Sequence, residues 1–125
     1  MKLHSDKAEG AYRITAYGAD YVVVNDVRIG GSVVVTPEQI IRDWAPRSFS
    51  EMTVESFDVF GALNVDIVIL GTGASQQFPD SGIVGWFGQR GIGLEVMDTA
   101  AACRTYNILV SEGRTVAAML LPIQP

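Results

Sequence analysis

Between residues 11 and 36 apolar and polar positions alternate in short runs. Tyr12, Ile14 and Ala16 alternate with Arg13 and Thr15. Gly18-Ala19-Asp20 turns the chain into Tyr21–Val24, Asn25-Asp26 turns it into Val27–Ile29, and Gly30-Gly31 precedes Ser32–Val35. β-rich segments of this length, separated by Gly, Asn and Asp, predict an antiparallel meander. At Thr36-Pro37-Glu38-Gln39 the period changes. Thr36 reads as an N-cap, Pro37 as a first helical residue and Gln39 as the completion of a capping box. Ile40, Ile41 and Trp44 follow at helical spacing, and Pro46 limits this predicted helix to about two turns. A second helical start lies at Thr53, ahead of Val54, Phe57 and Phe60, with Gly61 and Asn64 closing it.

The second half alternates strand and helix patterns. Asp66 introduces Ile67-Val68-Ile69-Leu70, a β-branched run suited to a strand buried on both faces, and Gly71-Thr72-Gly73 ends it. Residues 80–90 predict a helix with Ile83, Trp86 and Phe87 on one side. Against it, Gly82, Gly85, Gly88 and Gly91 recur at every third position, and each interior Gly costs about 1 kcal/mol relative to Ala. Leu94–Met97 is the next strand. Asp98 or Thr99 caps a helix running to about Glu112, with Gly113 as its stop. Val116–Leu121 is the last strand. The order β-α-β-α-β with short connections predicts parallel strands joined by crossovers, so the class is α/β with an N-terminal antiparallel β meander.

Composition bounds what such a chain does. Its 125 residues predict a single domain spanning 1–125, long enough to bury one core. Hydrophobic residues make up 48% and charged residues only 18%, below the usual ~25%. A surface so sparse in charge fits either a face covered by a protein partner or loops rich in uncharged polar residues. Net charge is −5, and Lys occurs only at Lys2 and Lys7, which leaves no electrostatic footprint for nucleic acid or anionic lipid. Cys103 is the only cysteine, so no internal disulfide forms, as in a reducing compartment. The first residues lack a signal core, and no apolar run approaches the ~20 residues of a membrane span. A soluble, cytoplasmic protein is expected.

Few residues invite chemistry. Gly71-Thr72-Gly73 ends one strand and Asp98-Thr99 opens the helix after the next. Side by side they would form a crevice lined by backbone N–H groups, an anion or small-ligand site, unless the glycines simply serve a tight turn. The run fails the dinucleotide fingerprint, since Gln76 stands where the third glycine belongs, and no Gly-Lys-Ser/Thr follows. Cys103 shares a helix face with Thr99, Ala102, Tyr106, Leu109 and Val110, which predicts a packed small side chain. His4, the one histidine, is remote in sequence. Arg104, Asn107 and Ser111, at i, i+3 and i+7, mark another face with Ile108 beside them: a partner-binding stripe or a solvated surface. Glu95 interrupts an apolar strand and needs a partner if buried. One His and one Cys do not make a usual zinc site, and no acidic calcium loop is present. No catalytic residue, cofactor or metal is assigned.

Taken together, Ser32–Val35, Thr53-Val-Glu-Ser-Phe57, Leu70-Gly-Thr-Gly73, Gly91-Ile-Gly-Leu-Glu-Val-Met-Asp-Thr99, Ala102-Cys-Arg-Thr-Tyr-Asn107 and Ser111-Glu-Gly-Arg114 resemble the family of domain of unknown function 498. That family includes small bacterial and archaeal proteins and mitochondrial complex I assembly factor 3. The resemblance spans nearly the whole chain. It implies a compact three-layer α/β fold with a mixed central sheet, and an assembly or accessory role without an established enzymatic activity. It supplies no catalytic residues. The chain departs from the family pattern at 80–90, where spaced glycines replace a richer helix. Two functions follow as expectations: a non-enzymatic accessory protein that binds a protein partner, and, as the alternative, an anion or small-molecule binder using Gly71–Gly73 and Asp98-Thr99.

Overall fold

A computed structural model describes the backbone of residues 10–124 and their side chains except those of 60–62. The meander forms as strands β1 (Ile14–Tyr17), β2 (Tyr21–Val24) and β3 (Val27–Gly30), a three-stranded antiparallel sheet in that order. Asn25 and Asp26 hold φ of 46° and 73°, the left-handed pair that a two-residue hairpin turn needs to match strand twist. The fourth segment, β4 (Val33–Val35), leaves this sheet. It joins β5 (Ile40–Arg42), β6 (Ile67–Gly71), β7 (Gly93–Met97) and β8 (Val116–Leu120) in a second sheet of order β5-β4-β8-β6-β7. β4 runs antiparallel to β5 and β8, whereas β6 runs parallel to β7 and β8. Helix α1 (Ser81–Gln89) connects β6 to β7, and α2 (Thr99–Ser111) connects β7 to β8.

The mixed sheet separates two cores by its period of two. Val33, Val35, Ile69, Val116, Ala118 and Leu120 face one side, under α2 and the small sheet, where they meet Ala102, Cys103, Tyr106, Val110, Ile14, Val24 and Ile29. Val34, Val68, Leu70, Ala117, Met119 and Leu121 face the other side, with Trp44, Met52, Phe57, Ile83 and Phe87. The result is the expected three-layer arrangement. In the second core the Phe57 ring meets Phe87 edge-on, with centroids 5.0 Å apart, and lies 6.0 Å from Trp44. Such pairs add about 0.5–1.5 kcal/mol beyond burial. β8 is buried at all five positions because a neighbour pairs with each edge and a layer covers each face.

The helix predicted after Thr36 does not form. Thr36 Oγ1 does accept from the N–H groups of Glu38 and Gln39, as a capping hydroxyl would, but these bonds close a turn. Ile40–Arg42 then pairs with β4 as β5, Val35 opposite Ile40 and Val33 opposite Arg42. The free edge of β4 decides the matter: its backbone groups need partners, and strand pairing overrides a helical spacing carried by three apolar residues. The second helical start holds as a 3-10 helix over Val54–Ala62. Trp44 lies between these segments, and its Nε1 donates to the Ser56 carbonyl at 2.7 Å.

Candidate functional site

The residues expected to line a crevice do come together. β6 ends at Gly71, and a Cβ there would lie 3.0 Å from Thr99 Cα and 3.1 Å from Ala102 Cβ, so only Gly lets α2 start this close to the strand. Gly73 sits at φ +102°. Its N–H donates to Thr99 Oγ1 at 2.9 Å, and the Thr99 N–H donates back to the Gly73 carbonyl at 2.9 Å. The Thr99 hydroxyl donates to Leu121 O at 2.7 Å, and Leu121 N–H donates to Gly71 O at 3.0 Å. The Thr72 hydroxyl donates to Ser75 O at 2.6 Å and accepts from Gln77 N–H at 3.1 Å. Asp98, the observed N-cap of α2, accepts from Ala101 N–H at 2.8 Å. Thr72 and Thr99 are buried. The N–H groups of Gly73 and Thr99, which a ligand would need, are therefore bonded within a knot that ties β6, α2 and the segment after β8 together.

The second candidate stripe is divided between two tasks. Asn107 accepts from Ile14 N–H at 2.9 Å and donates to Ile14 O at 2.7 Å. Ser111 Oγ accepts from Arg13 at 2.9 Å, and Arg104 donates to the Tyr17 hydroxyl at 3.2 Å. All three seat β1 on α2. Ile108 alone of the four has no such role, and it stands 59% exposed. The polar spacing was visible in the sequence; its use as a seat for a strand was not, because nothing local marks which strand covers which helix.

Cys103 and Tyr106 lie beneath this seat. Burial pushes the Cys103 thiol up from 9.0 to about 12, against a smaller downward pull from Arg104. Burial also raises Tyr106, whose hydroxyl donates to Tyr12 O at 2.8 Å. Both groups are neutral packing members at physiological pH. Glu95 is exposed on the outer strand β7 and His4 lies outside the described residues. Among the described residues no three His, Cys, Asp or Glu side chains gather in a way that could hold a metal ion.

Two surface features were not anticipated. At the end of the sheet remote from Gly71–Gly73, a groove of about 760 Å³ runs between Thr36–Gln39, Leu63–Val65 and Val110–Val116. Beside α1, Phe78 is 74% exposed at the rim of a smaller hollow with Phe49, Met52 and Ile83. Neither could be read from periodicity, since both arise where separate elements meet. No helix among the described residues is long and apolar enough to cross a membrane.

A mixed five-stranded sheet between two layers, with its strand ends tied to its own helix, defines a small three-layer α/β domain. The same architecture is found in a protein of Bordetella parapertussis known from a crystal structure, at a TM-score of 0.84 and 35% identity over 90% of this chain and 97% of that one. The chain belongs to the family of proteins of unknown function DUF498/DUF598, whose model matches residues 14–121. The resemblance carried by the 70–73 and 91–114 motifs is thereby borne out. Similar proteins include NADH dehydrogenase (ubiquinone) 1 alpha subcomplex assembly factor 3 of Xenopus tropicalis, 35% identical over 98% of this chain and 67% of that protein. The Homo sapiens protein of the same name is 34% identical over 96% of this chain and 65% of its own length. The chain thus spans about two thirds of the length of these relatives.

Proposed function

We propose that this chain is a non-enzymatic accessory protein of the cytoplasm that binds a protein partner during assembly of a respiratory membrane complex. Kinship with assembly factors of NADH dehydrogenase supports the assembly role. The geometric observation that carries the reading is the knot at Gly71–Gly73 and Thr99. The N–H groups of Thr72, Gly73 and Thr99 at the strand ends, where an α/β protein would hold a small ligand, are bonded to the chain itself. That favours a binding surface over the alternative of an anion or small-molecule site there. On α2 the surface narrows to Ile108 and the outer side of Arg104, since Asn107 and Ser111 are engaged with β1. Deletion of the gene, with membrane complexes resolved by native electrophoresis, tests the role: assembled NADH dehydrogenase is expected to fall and partial assemblies to accumulate. Unchanged assembly would overturn it. Ile108→Asp tests the surface. It is expected to leave stability within about 0.5 kcal/mol, as exposed substitutions do, while failing to restore assembly.

A further inference from the structure

β7 is the outer strand of the mixed sheet on the side of the parallel pairs. Its hydrogen-bonding directions can be assigned residue by residue. Gly93 N–H donates to Asp66 O, and Met97 O accepts from Thr72 N–H, so the groups of residues 93, 95 and 97 point toward β6. The Val96 carbonyl points the other way, where it accepts from the Gln76 side chain at 2.8 Å. In a parallel strand the N–H and C=O of one residue share a side, so Leu94 and Val96 present their backbone groups outward. Half-buried apolar side chains, Leu94, Val96 and Trp86, border this edge on the α1 face. On the opposite face the exposed Glu95 stands alone as the charged side chain of the strand.

Protein edges of this kind are usually blunted by charged side chains, Pro, a bulge or a covering loop. Here, among the described residues, Glu95 is the charge on the edge strand and one glutamine latch occupies one carbonyl. We infer that β7 accepts an extended segment of a partner protein as an antiparallel sixth strand, with a Lys or Arg opposite Glu95 and apolar residues toward Leu94 and Val96. Residues directed toward β6 form the non-hydrogen-bonded pairs of such an addition, where facing side chains come closest. The residue opposite Glu95 therefore sets selectivity. A second copy of this chain is disfavoured as occupant. In the register that pairs Leu94 with Val96 of a second copy, Glu95 faces Glu95 and sets two like charges face to face, in a chain of net charge −5. The inference deepens the partner-binding reading by naming the segment that binds.

The test uses the purified chain and three synthetic peptides: acetylated Val-Lys-Val-Lys-Val-Lys, the same peptide with Glu in place of Lys, and the Lys peptide N-methylated at alternate residues. The Lys peptide is expected to slow exchange of the Leu94 and Val96 amides about tenfold or more, while the N-methylated peptide does not. Glu95→Lys, an exposed change, is expected to reverse the preference between the Lys and Glu peptides by about two- to fivefold. Val96→Pro removes an outward N–H, and in a variant whose thermal midpoint is retained it abolishes binding. Unaltered exchange at Leu94 and Val96 at millimolar peptide overturns the inference. So does an unchanged preference in Glu95→Lys, or amides already protected in a concentration-dependent dimer. These outcomes are independent of the deletion experiment, which bears on the assembly role alone.

Discussion

Asn107 meets the backbone of Ile14 with both ends of its amide, as a neighbouring strand would. Removing that amide leaves a part-buried N–H and C=O without partners. Asn107→Ala is therefore expected to lower stability by about 1–3 kcal/mol, measured by urea unfolding. Arg104→Glu gives up one exposed contact to Tyr17 and should lower it by less than about 1 kcal/mol. Equal losses would show that β1 is not seated through Asn107. Gly71 is the second residue whose chemistry is dictated by a neighbour. A Cβ there meets Thr99 Cα and Ala102 Cβ, both fixed to the helix, so Gly71→Ala should cost about 1–3 kcal/mol. At Gly73 the φ of +102° adds backbone strain to a Cβ contact with Pro122 O at 3.3 Å, and Gly73→Val should cost a similar amount. A thermal midpoint kept in both variants would mean that the start of α2 can shift.

At the scale of elements, α1 carries Gly85 and Gly88 where the fold has no use for them. A Cβ at Gly85 or Gly88 meets nothing within 4 Å, and neither residue has a positive φ. The helix is held by Ile83 and Phe87 on its inner face and by the Asp80 cap, which accepts from Ile83 N–H at 3.0 Å. Gly85→Ala and Gly88→Ala should each raise stability by about 1 kcal/mol, measured by urea unfolding. Unfolding curves that move downward would point to contacts on the outer face of α1. β5 teaches the converse. Its residues have helical spacing, yet they form a strand because β4 offers an open edge.

For the whole molecule, the core beneath the β1 seat predicts sensitivity to alkali. The folded chain holds the Cys103 proton more tightly than the unfolded chain, because burial raises the thiol from 9.0 to about 12. This contribution to stability is complete below pH 9 and is lost as pH rises toward 12. Relative to neutral pH, the thiol alone should remove about 2 kcal/mol at pH 10.5. Tyr106, also raised by burial, acts in the same direction at higher pH. Urea midpoints across pH 7–10.5 check this, and Cys103→Ala should flatten the curve. Thiol labelling of the native protein should be slow and should accelerate on unfolding. Rapid labelling would mean that this core opens.

How much of this was legible depends on the distance between the groups involved. The Asp98 cap, the Asn25-Asp26 turn and the continuous apolar run of β6 follow from residues a few positions apart. Their hydrogen bonds and burial periods are settled locally, so the sequence by itself determined the strands of the meander and the β-α-β-α-β order. The seat of β1 joins residues 93 and 98 positions apart, and the knot joins Gly73 to Thr99 across 26. There the same residues allow two outcomes, a donor free for a ligand or one bonded to the chain, a polar stripe open to a partner or one covered by a strand. Tertiary structure alone decided between them, because only packing of distant elements brings in the groups that satisfy those donors and acceptors.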